Sequence, residues 1–453
     1  MTKRQDAREK NMKNTRKIKK EKAKQPNYLT QISIKGYKSI AKKCSIDICP
    51  ITIIGGANSS GKSSIMQPLL LMKQTLDSFS DPGVLKINGP HVYFTNMDQL
   101  FSHVKEVKTK QSSFEVEMKI GDFLIKNIFM LGAKDKLKLQ ATCFSGPNQE
   151  YKLTPRMKKE KIFKTLPRKL VDSLQKTYGR NFKVKVVLDR CFYGIEFSSI
   201  EDDKMSLPSF PVGEYLRFAH LVSQIIHLPA LRGNPERSYP TAVLPQWDAP
   251  GIFSDYVAGT IKKWQDDKDE KLKFLIDNLR EIGLVDRIVV EEINDTEVML
   301  KVGRLWGKTG KEDLVNIADV GFGISQILPI AVALVAARSG QLVYIEQPEI
   351  HLHPKAQYKL AHLFVEAVQR DVRMVIETHS NILILALQTM MAKKKLKPED
   401  VALHWFERDA KGVTSVKKGS MDQSGSYDDW PEDFCDTELE AENEFLNAVE
   451  IKH

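Results

Sequence analysis

Short apolar runs alternate with amphipathic stretches along most of the chain, the pattern of strands and helices taken in turn. Strands are expected near 29–35 and 44–54, where Pro50-Ile51-Thr52-Ile53-Ile54 is apolar enough to be buried on both faces. Ser64 to Leu76 then places Ile65, Leu69, Met72 and Leu76 on one face of a helix. Phe114–Ile120, Phe123–Met130 and Phe182–Leu188 read as strands around a basic helical piece, Met157–Tyr178, interrupted by Pro167. A helix from Glu214 to Ile226, helical stretches over 252–280 and strands at 287–293 and 296–303 follow. Next come an apolar helix over Ile327–Ala337 and apolar strands ending at Glu346 and His379. A helix over Asn381–Met391, strands near 401–407 and 413–417 and an acidic helix, Asp436–Val449, close the chain. No a/d heptad run is sustained and prolines recur, which excludes long coiled-coil arms.

The loop Gly56-Ala57-Asn58-Ser59-Ser60-Gly61-Lys62-Ser63 joins the strand before it to the helix after it and fits G-x-x-x-x-G-K-[ST]. That context is what the motif needs. Backbone N–H groups of Asn58, Ser59, Ser60, Gly61 and Ser64 would wrap a phosphate at the positive end of the helix dipole. Lys62 would reach the β- and γ-phosphates, and the Ser63 hydroxyl would ligate Mg²⁺. The chain therefore reads as a binder of a nucleoside triphosphate.

Downstream, Leu342-Val343-Tyr344-Ile345-Glu346-Gln347-Pro348-Glu349 is an apolar strand ending in acids. Met374-Val375-Ile376-Glu377-Thr378-His379-Ser380 is an apolar strand ending in a histidine. Before both, Asp319-Val320-Gly321-Phe322-Gly323-Ile324-Ser325-Gln326 opens an apolar helix, and a Gly/Ser loop at a helix N-terminus is itself a phosphate-binding device. It comes too late in the chain to join the first loop, so Gly323 and Ser325 are expected against the nucleotide of a second, identical subunit.

Composition alters this picture little. A 42% hydrophobic content suits a globular protein, and no apolar run approaches the roughly 18–20 residues of a membrane span. Five scattered cysteines and no apolar leader fit a reducing cytoplasm. Residues 1–25 hold eleven Lys and Arg against three acids, most of the net +10, leaving a near-neutral body. That tail is expected to be disordered or a frayed helix. It is either an arm for nucleic-acid phosphates or an acidic partner, or a solubilising extension.

The order of phosphate loop, Gly/Ser signature, acidic strand and histidine resembles the ABC-type ATPase core of RecF, SMC and OLD-family proteins. More narrowly, three stretches resemble AAA15-type ATPases with a DUF3696 tail. They are Ile34-Lys35-Gly36-Tyr37-Lys38-Ser39-Ile40, Glu346-Gln347-Pro348-Glu349-Ile350-His351-Leu352-His353-Pro354 and Trp430-Pro431-Glu432-Asp433-Phe434. The ATPase subunit of Septu-type anti-phage systems is of this kind. The resemblance implies an α/β fold, an ABC-type P-loop ATPase head with a mixed α+β insertion lobe. Its parts would be a basic tail (1–26), head segments at 27–105 and 311–425, an inserted lobe at 106–310 and a C-terminal tail at 426–453.

The resemblance also assigns roles. Glu346 stands at the Mg²⁺-associated acid and His379 at the γ-phosphate switch. Gln347 stands where the catalytic glutamate usually is. An amide orients water but takes no proton, and general-base catalysis is worth roughly 10²–10⁴-fold, so turnover should be slow unless Glu349 substitutes. Gln99 is either a Mg²⁺-sensing glutamine or an ordinary surface residue. His351 and His353 read as a turn near the dimer seam, not a metal site. Arg232 and Arg237, on a proline-bounded loop, either present donors to phosphate or pair with nearby carboxylates. Trp430 and Phe434 either dock the tail or form a partner surface. With no nuclease constellation in the chain, the expectation is a regulatory ATPase that binds ATP and Mg²⁺, forms a head-to-tail dimer or higher oligomer and controls a nuclease partner in defence. A RecF-like ATPase that clamps DNA directly, and a scaffold with negligible hydrolysis, are the alternatives.

Overall fold

The computed structural model describes residues 26–104, 112–132, 136–166, 168, 171–172, 176, 182–199, 214–243, 251–303, 313–427 and 443–448. The basic tail, Trp430 and Phe434 lie outside them, as do most of the expected helix Asp436–Val449 and parts of Met157–Tyr178.

In chain order the first elements are β1 (Gln31–Lys35), β2 (Cys44–Asp47), β3 (Ile51–Gly56) and α1 (Lys62–Leu76). Then come β4 (Ser113–Ile120), β5 (Phe123–Leu131), β6 (Leu137–Gly146), β7 (Gln149–Leu153), α2 (Lys159–Thr165), β8 (Phe182–Asp189) and β9 (Phe192–Ser199). The middle holds α3 (Tyr215–Ser223), β10 (Ile226–Leu228), β11 (Tyr239–Pro240), α4 (Val257–Asp266), α5 (Glu270–Ile282), β12 (Arg287–Glu292), β13 (Glu297–Gly303) and β14 (Leu314–Asn316). Last are α6 (Phe322–Ala336), β15 (Leu342–Glu346), α7 (Pro354–Gln369), β16 (Arg373–Glu377), α8 (Asn381–Ala392), β17 (Val401–Arg408) and β18 (Thr414–Gly419).

The central sheet runs β10-β15-β16-β3-β17-β18, parallel except for β18. β3 is buried at every position because β16 and β17 flank it and both faces are covered. Its period-2 alternation feeds two cores. Ile51 and Ile53 pack with Val343, Ile345, Met374 and Ile376 under α4–α8. Ile54 packs on the other side with Tyr344, Val375, Phe406 and the apolar face of α1. That second core is closed by an antiparallel sheet, β2-β1-β4-β5-β6-β7. The fold is thus an α/β P-loop ATPase head, with every loop after a parallel strand opening at one edge of the sheet, where ligands of such sheets bind.

One expectation needs correction. The helix Glu214–Ile226 stops at Ser223, because Ile226–Leu228 pairs in parallel with Val343–Ile345 and becomes the edge strand β10. A tertiary ladder overrides the local helical pattern there. Residues 106–310 supply strands to both large sheets: β4 extends β1, and β10 extends β15. Among the described residues no helix is long and apolar enough to cross a membrane.

Candidate functional site

The phosphate loop departs from β3 through Gly56 (φ 137°) and enters α1 through Gly61 (φ 99°), both in the region that favours glycine. A Cβ on Gly61 would stand 2.5 Å from Thr414 Oγ1 and 2.8 Å from Ser39 Oγ, so the site has no room for a side chain. Gly61 caps α1 without a side-chain hydrogen bond, and the first turn carries no acid. The helix therefore presents unsatisfied N–H groups and its positive dipole end to the loop, an anion-binding arrangement. Thr414, at the start of β18, clasps the loop from outside: its hydroxyl donates to Ser60 O (2.7 Å), and its oxygen is hydrogen-bonded with the Ser39 hydroxyl (2.8 Å).

The loop lines a cleft of about 810 Å³, ample for a nucleotide. Lys62, almost fully buried, folds its Nζ back onto Gly56 O (3.0 Å) and Ala57 O (2.8 Å). Burial lowers its pKa, with Glu377 acting in the opposite sense. Lys38, Arg408 and Lys411 add positive charge to the walls. Arg408 reaches Ser59 O (3.5 Å) and Gly412 O (3.0 Å), tying the turn after β17 to the loop.

Three carboxylates cluster at the strand ends. Glu377, at the end of β16, accepts from Ser63 Oγ (3.1 Å) on one oxygen and Tyr344 OH (2.9 Å) on the other. Burial, with Glu346 beside it, pushes its pKa up. Glu346 accepts from Ala230 N (3.2 Å) and pairs with His227 Nε2 (3.1 Å). Burial works to raise its pKa, but the His227 contact and the Ala230 N–H hold it below the ordinary value. Glu349 accepts from His379 N (2.8 Å), and burial raises its pKa. The His379 ring lines the cleft; burial and the nearby Lys62 charge lower its pKa.

Asn58, Ser59, Gly61, Lys62, Ser63, Ser64, Gln99, Gln347 and His379 all line the cleft. Ser60 lies buried beneath it, its carbonyl taken by Thr414. Glu346 and Glu349 stand behind the lining. Gly323 and Ser325 are not on this cleft. Gly323 borders a separate cavity with Gly321, His351 and Lys355, and Ser325 Oγ donates to Phe322 O within the first turn of α6. Gln99 Oε1 closes a capping box by accepting from Thr95 N and Asn96 N (3.2 and 3.3 Å), so its oxygen already has partners. His353 Nδ1 accepts from Lys355 N and caps α7, a structural task.

Sequence reasoning missed Glu377 as a site residue. Its strand was recognised for its histidine, and only the strand order puts β16 next to β3 and brings Glu377 to Ser63. Lys38, Arg408 and Thr414 were missed as well. The acid two residues before His379 on an otherwise apolar strand was the one available signal. The adjacent oxygens of Ser63 and Glu377 form the hard-donor pair that Mg²⁺ prefers, so the residues present fit that ion.

Comparison with known families agrees with this geometry. Residues 28–196 match the AAA ATPase domain family AAA_15, and residues 209–386 match AAA_21, described as "AAA domain, putative AbiEii toxin, Type IV TA system". Residues 396–444 match DUF3696, a protein family of unknown function. No curated protein matches the chain. Among solved structures, an SMC head bound to the C-terminal winged-helix domain of ScpA is 12% identical, with TM-score 0.49, covering 88% of this chain and 99% of that one. The SMC head domain from Thermotoga maritima is 11% identical (TM-score 0.40, 86% and 98% covered). An SMC head with extended coiled coil from Pyrococcus furiosus, bound to the C-terminal domain of ScpA, is 11% identical (TM-score 0.41, 93% and 99% covered).

Proposed function

We propose that this chain, whose segments match AAA_15, AAA_21 and DUF3696, is an ATPase that acts as a slow, ATP-gated switch and not as a motor. In this reading it works in the cytoplasm as a head-to-tail dimer, or a higher oligomer, and is the regulatory subunit of an anti-phage complex that controls a nuclease partner. One observation carries the slow-switch reading. Among the described residues lining the cleft, Glu377 is the one carboxylate, and Ser63 and Tyr344 already engage both its oxygens. The residue that lines the cleft from the end of the acidic strand is Gln347, an amide and not an acid. The defence role and the nuclease rest on the resemblance of the motifs to Septu-type ATPases.

In this mechanism the loop amides and the α1 N-terminus hold the phosphates, and Lys62 leaves the loop carbonyls to donate to them. Bound Mg²⁺ would neutralise phosphate charge, held by Ser63 and Glu377 with Glu346 behind. Gln347 orients the attacking water without accepting its proton. His379 faces the γ-phosphate end, and Glu349 fixes its backbone. Gly323 and Ser325 serve the partner subunit's nucleotide.

The test is ATP turnover by the purified protein, alone and with linear DNA, beside its oligomeric mass with and without ATP. Turnover well below about 1 s⁻¹, indifferent to DNA and in a stable assembly, is expected. DNA-stimulated turnover with dimers forming only on ATP would replace this reading with a direct DNA clamp.

A further inference from the structure

Gln347 adopts a left-handed backbone conformation (φ 44°), which a non-glycine residue keeps only where its surroundings offset the steric cost. Three hydrogen bonds brace it. Gln347 N donates to Glu377 O (2.7 Å), fixing one side of the turn. On the other side, Arg232 Nη2 donates to Glu346 O (2.8 Å) and Gln347 O (3.1 Å).

Arg232 does not line the nucleotide cleft. It borders a separate cavity with His227, Pro229, Gly233 and Tyr239. Among the described residues its buried Nε and Nη1 have no hydrogen-bond partner, and the two carbonyls of the turn are the hydrogen-bond partners of this guanidinium. Burial lowers its pKa to about 10, opposed by the charges of Glu349 and Glu346, and it stays cationic at neutral pH. The loop that carries it is anchored at several points. Ala230 N donates to Glu346, Gln326 Nε2 donates to Gly233 O, and Arg237 pairs with Asp319 (2.8 Å).

We infer that Arg232 is a positioning residue for hydrolysis: by holding the Glu346 and Gln347 carbonyls from behind the sheet, it keeps the turn that aims the Gln347 amide into the cleft. It touches neither nucleotide nor water. The inference rests on the reading of Gln347 as the water-orienting group.

The full-length protein is compared as wild type, R232A, R232K and Q347E. Readouts are kcat and KM for ATP, affinity for a non-hydrolysable ATP analogue, and amide exchange over residues 346–350. R232A is expected to lower kcat about tenfold while KM and analogue affinity stay within about twofold. Exchange over the turn should rise. R232K, which keeps a cationic donor, should recover a substantial part of both. Three outcomes overturn the inference: R232A with kcat and exchange unchanged, R232A that weakens analogue binding as a phosphate ligand would, or R232K no better than R232A. If R232A fails to fold, R232K decides, since a wild-type-like lysine variant supports a donor at this place and a lysine variant with lost analogue affinity refutes it. Q347E separates the two readings. No rise in its turnover removes the water-orienting role of Gln347, whereas the exchange result still reports whether Arg232 holds the turn.

Discussion

Replacing Glu377 by glutamine should stabilise the nucleotide-free protein and at the same time weaken its binding of Mg²⁺-ATP. The carboxylate is buried and stands beside Glu346, which together raise its pKa. Its two hydrogen bonds survive the change. Tyr344 and Ser63 each carry a hydroxyl that rotates between donor and acceptor, so an amide can serve both. What is lost is charge assistance, about 1 kcal/mol per bond. What is gained is relief from burying an ion, several kcal/mol by itself. The net is about 1–2 kcal/mol in favour of E377Q, a Tm rise of about 1–2 °C for a chain this long.

The pH dependence fixes the sign independently. A carboxyl whose folded pKa is raised contributes stability that is complete below its unfolded pKa, near 4.5, and is lost as pH rises through the folded value. The advantage of E377Q should therefore vanish in acid, grow from about pH 4.5 upwards and level off above the folded pKa. Differential scanning fluorimetry across pH measures this. Nucleotide affinity is then measured with Mg²⁺ and with EDTA. A loss of about tenfold or more is expected with the metal and none without it. A variant that melts lower at neutral pH, or that loses ATP equally in EDTA, would refute the argument, since Glu377 would then be a structural anchor and not a metal-side acid.

Other substitutions test the remaining parts of the cleft. Lys62→Ala removes the loop's buried cation and should lower ATP affinity roughly 100-fold; unchanged affinity in equilibrium binding would remove the nucleotide-site assignment. Gln347→Glu supplies a proton acceptor where the amide stands and should raise steady-state turnover by at least about tenfold. Unaltered turnover would place the water elsewhere. Thr414→Val keeps the shape of a buried side chain but strands the Ser60 carbonyl, so ATP binding should weaken about five- to tenfold, with far-UV circular dichroism unchanged. Wild-type affinity would show that the clasp from β18 is dispensable.

What could be read from the sequence was local. The loop, its strand and α1 announce themselves within 26 residues, because glycine spacing, apolar run and helical period fall side by side. The strands ending at Glu346 and His379 were equally plain. β10 was not, since three residues following a helix have no periodicity of their own, and only the parallel ladder with β15 makes them a strand. Nor was Thr414, whose two hydroxyl contacts reach residues more than 350 positions away. The proline-bounded arginine loop was visible, but its orientation was not. The structure gives Arg232 to backbone carbonyls and Arg237 to Asp319.

The placement of the acids explains why pattern matching and geometry emphasise different residues. Counting along the motif makes Glu346 the acid nearest the metal, because it ends the acidic strand. In space β16 lies between that strand and β3, so Glu377 meets Ser63 while Glu346 turns to His227 and Ala230 N. The two strand ends are register neighbours, so the carboxylates form a pair in which the inner one is disfavoured as an anion and the outer one is favoured. A divalent cation at Ser63 would reverse the penalty on Glu377. The same residue also accepts from Gln347 N through its backbone carbonyl (2.7 Å), so the metal-side acid and the Gln347 turn share one anchor.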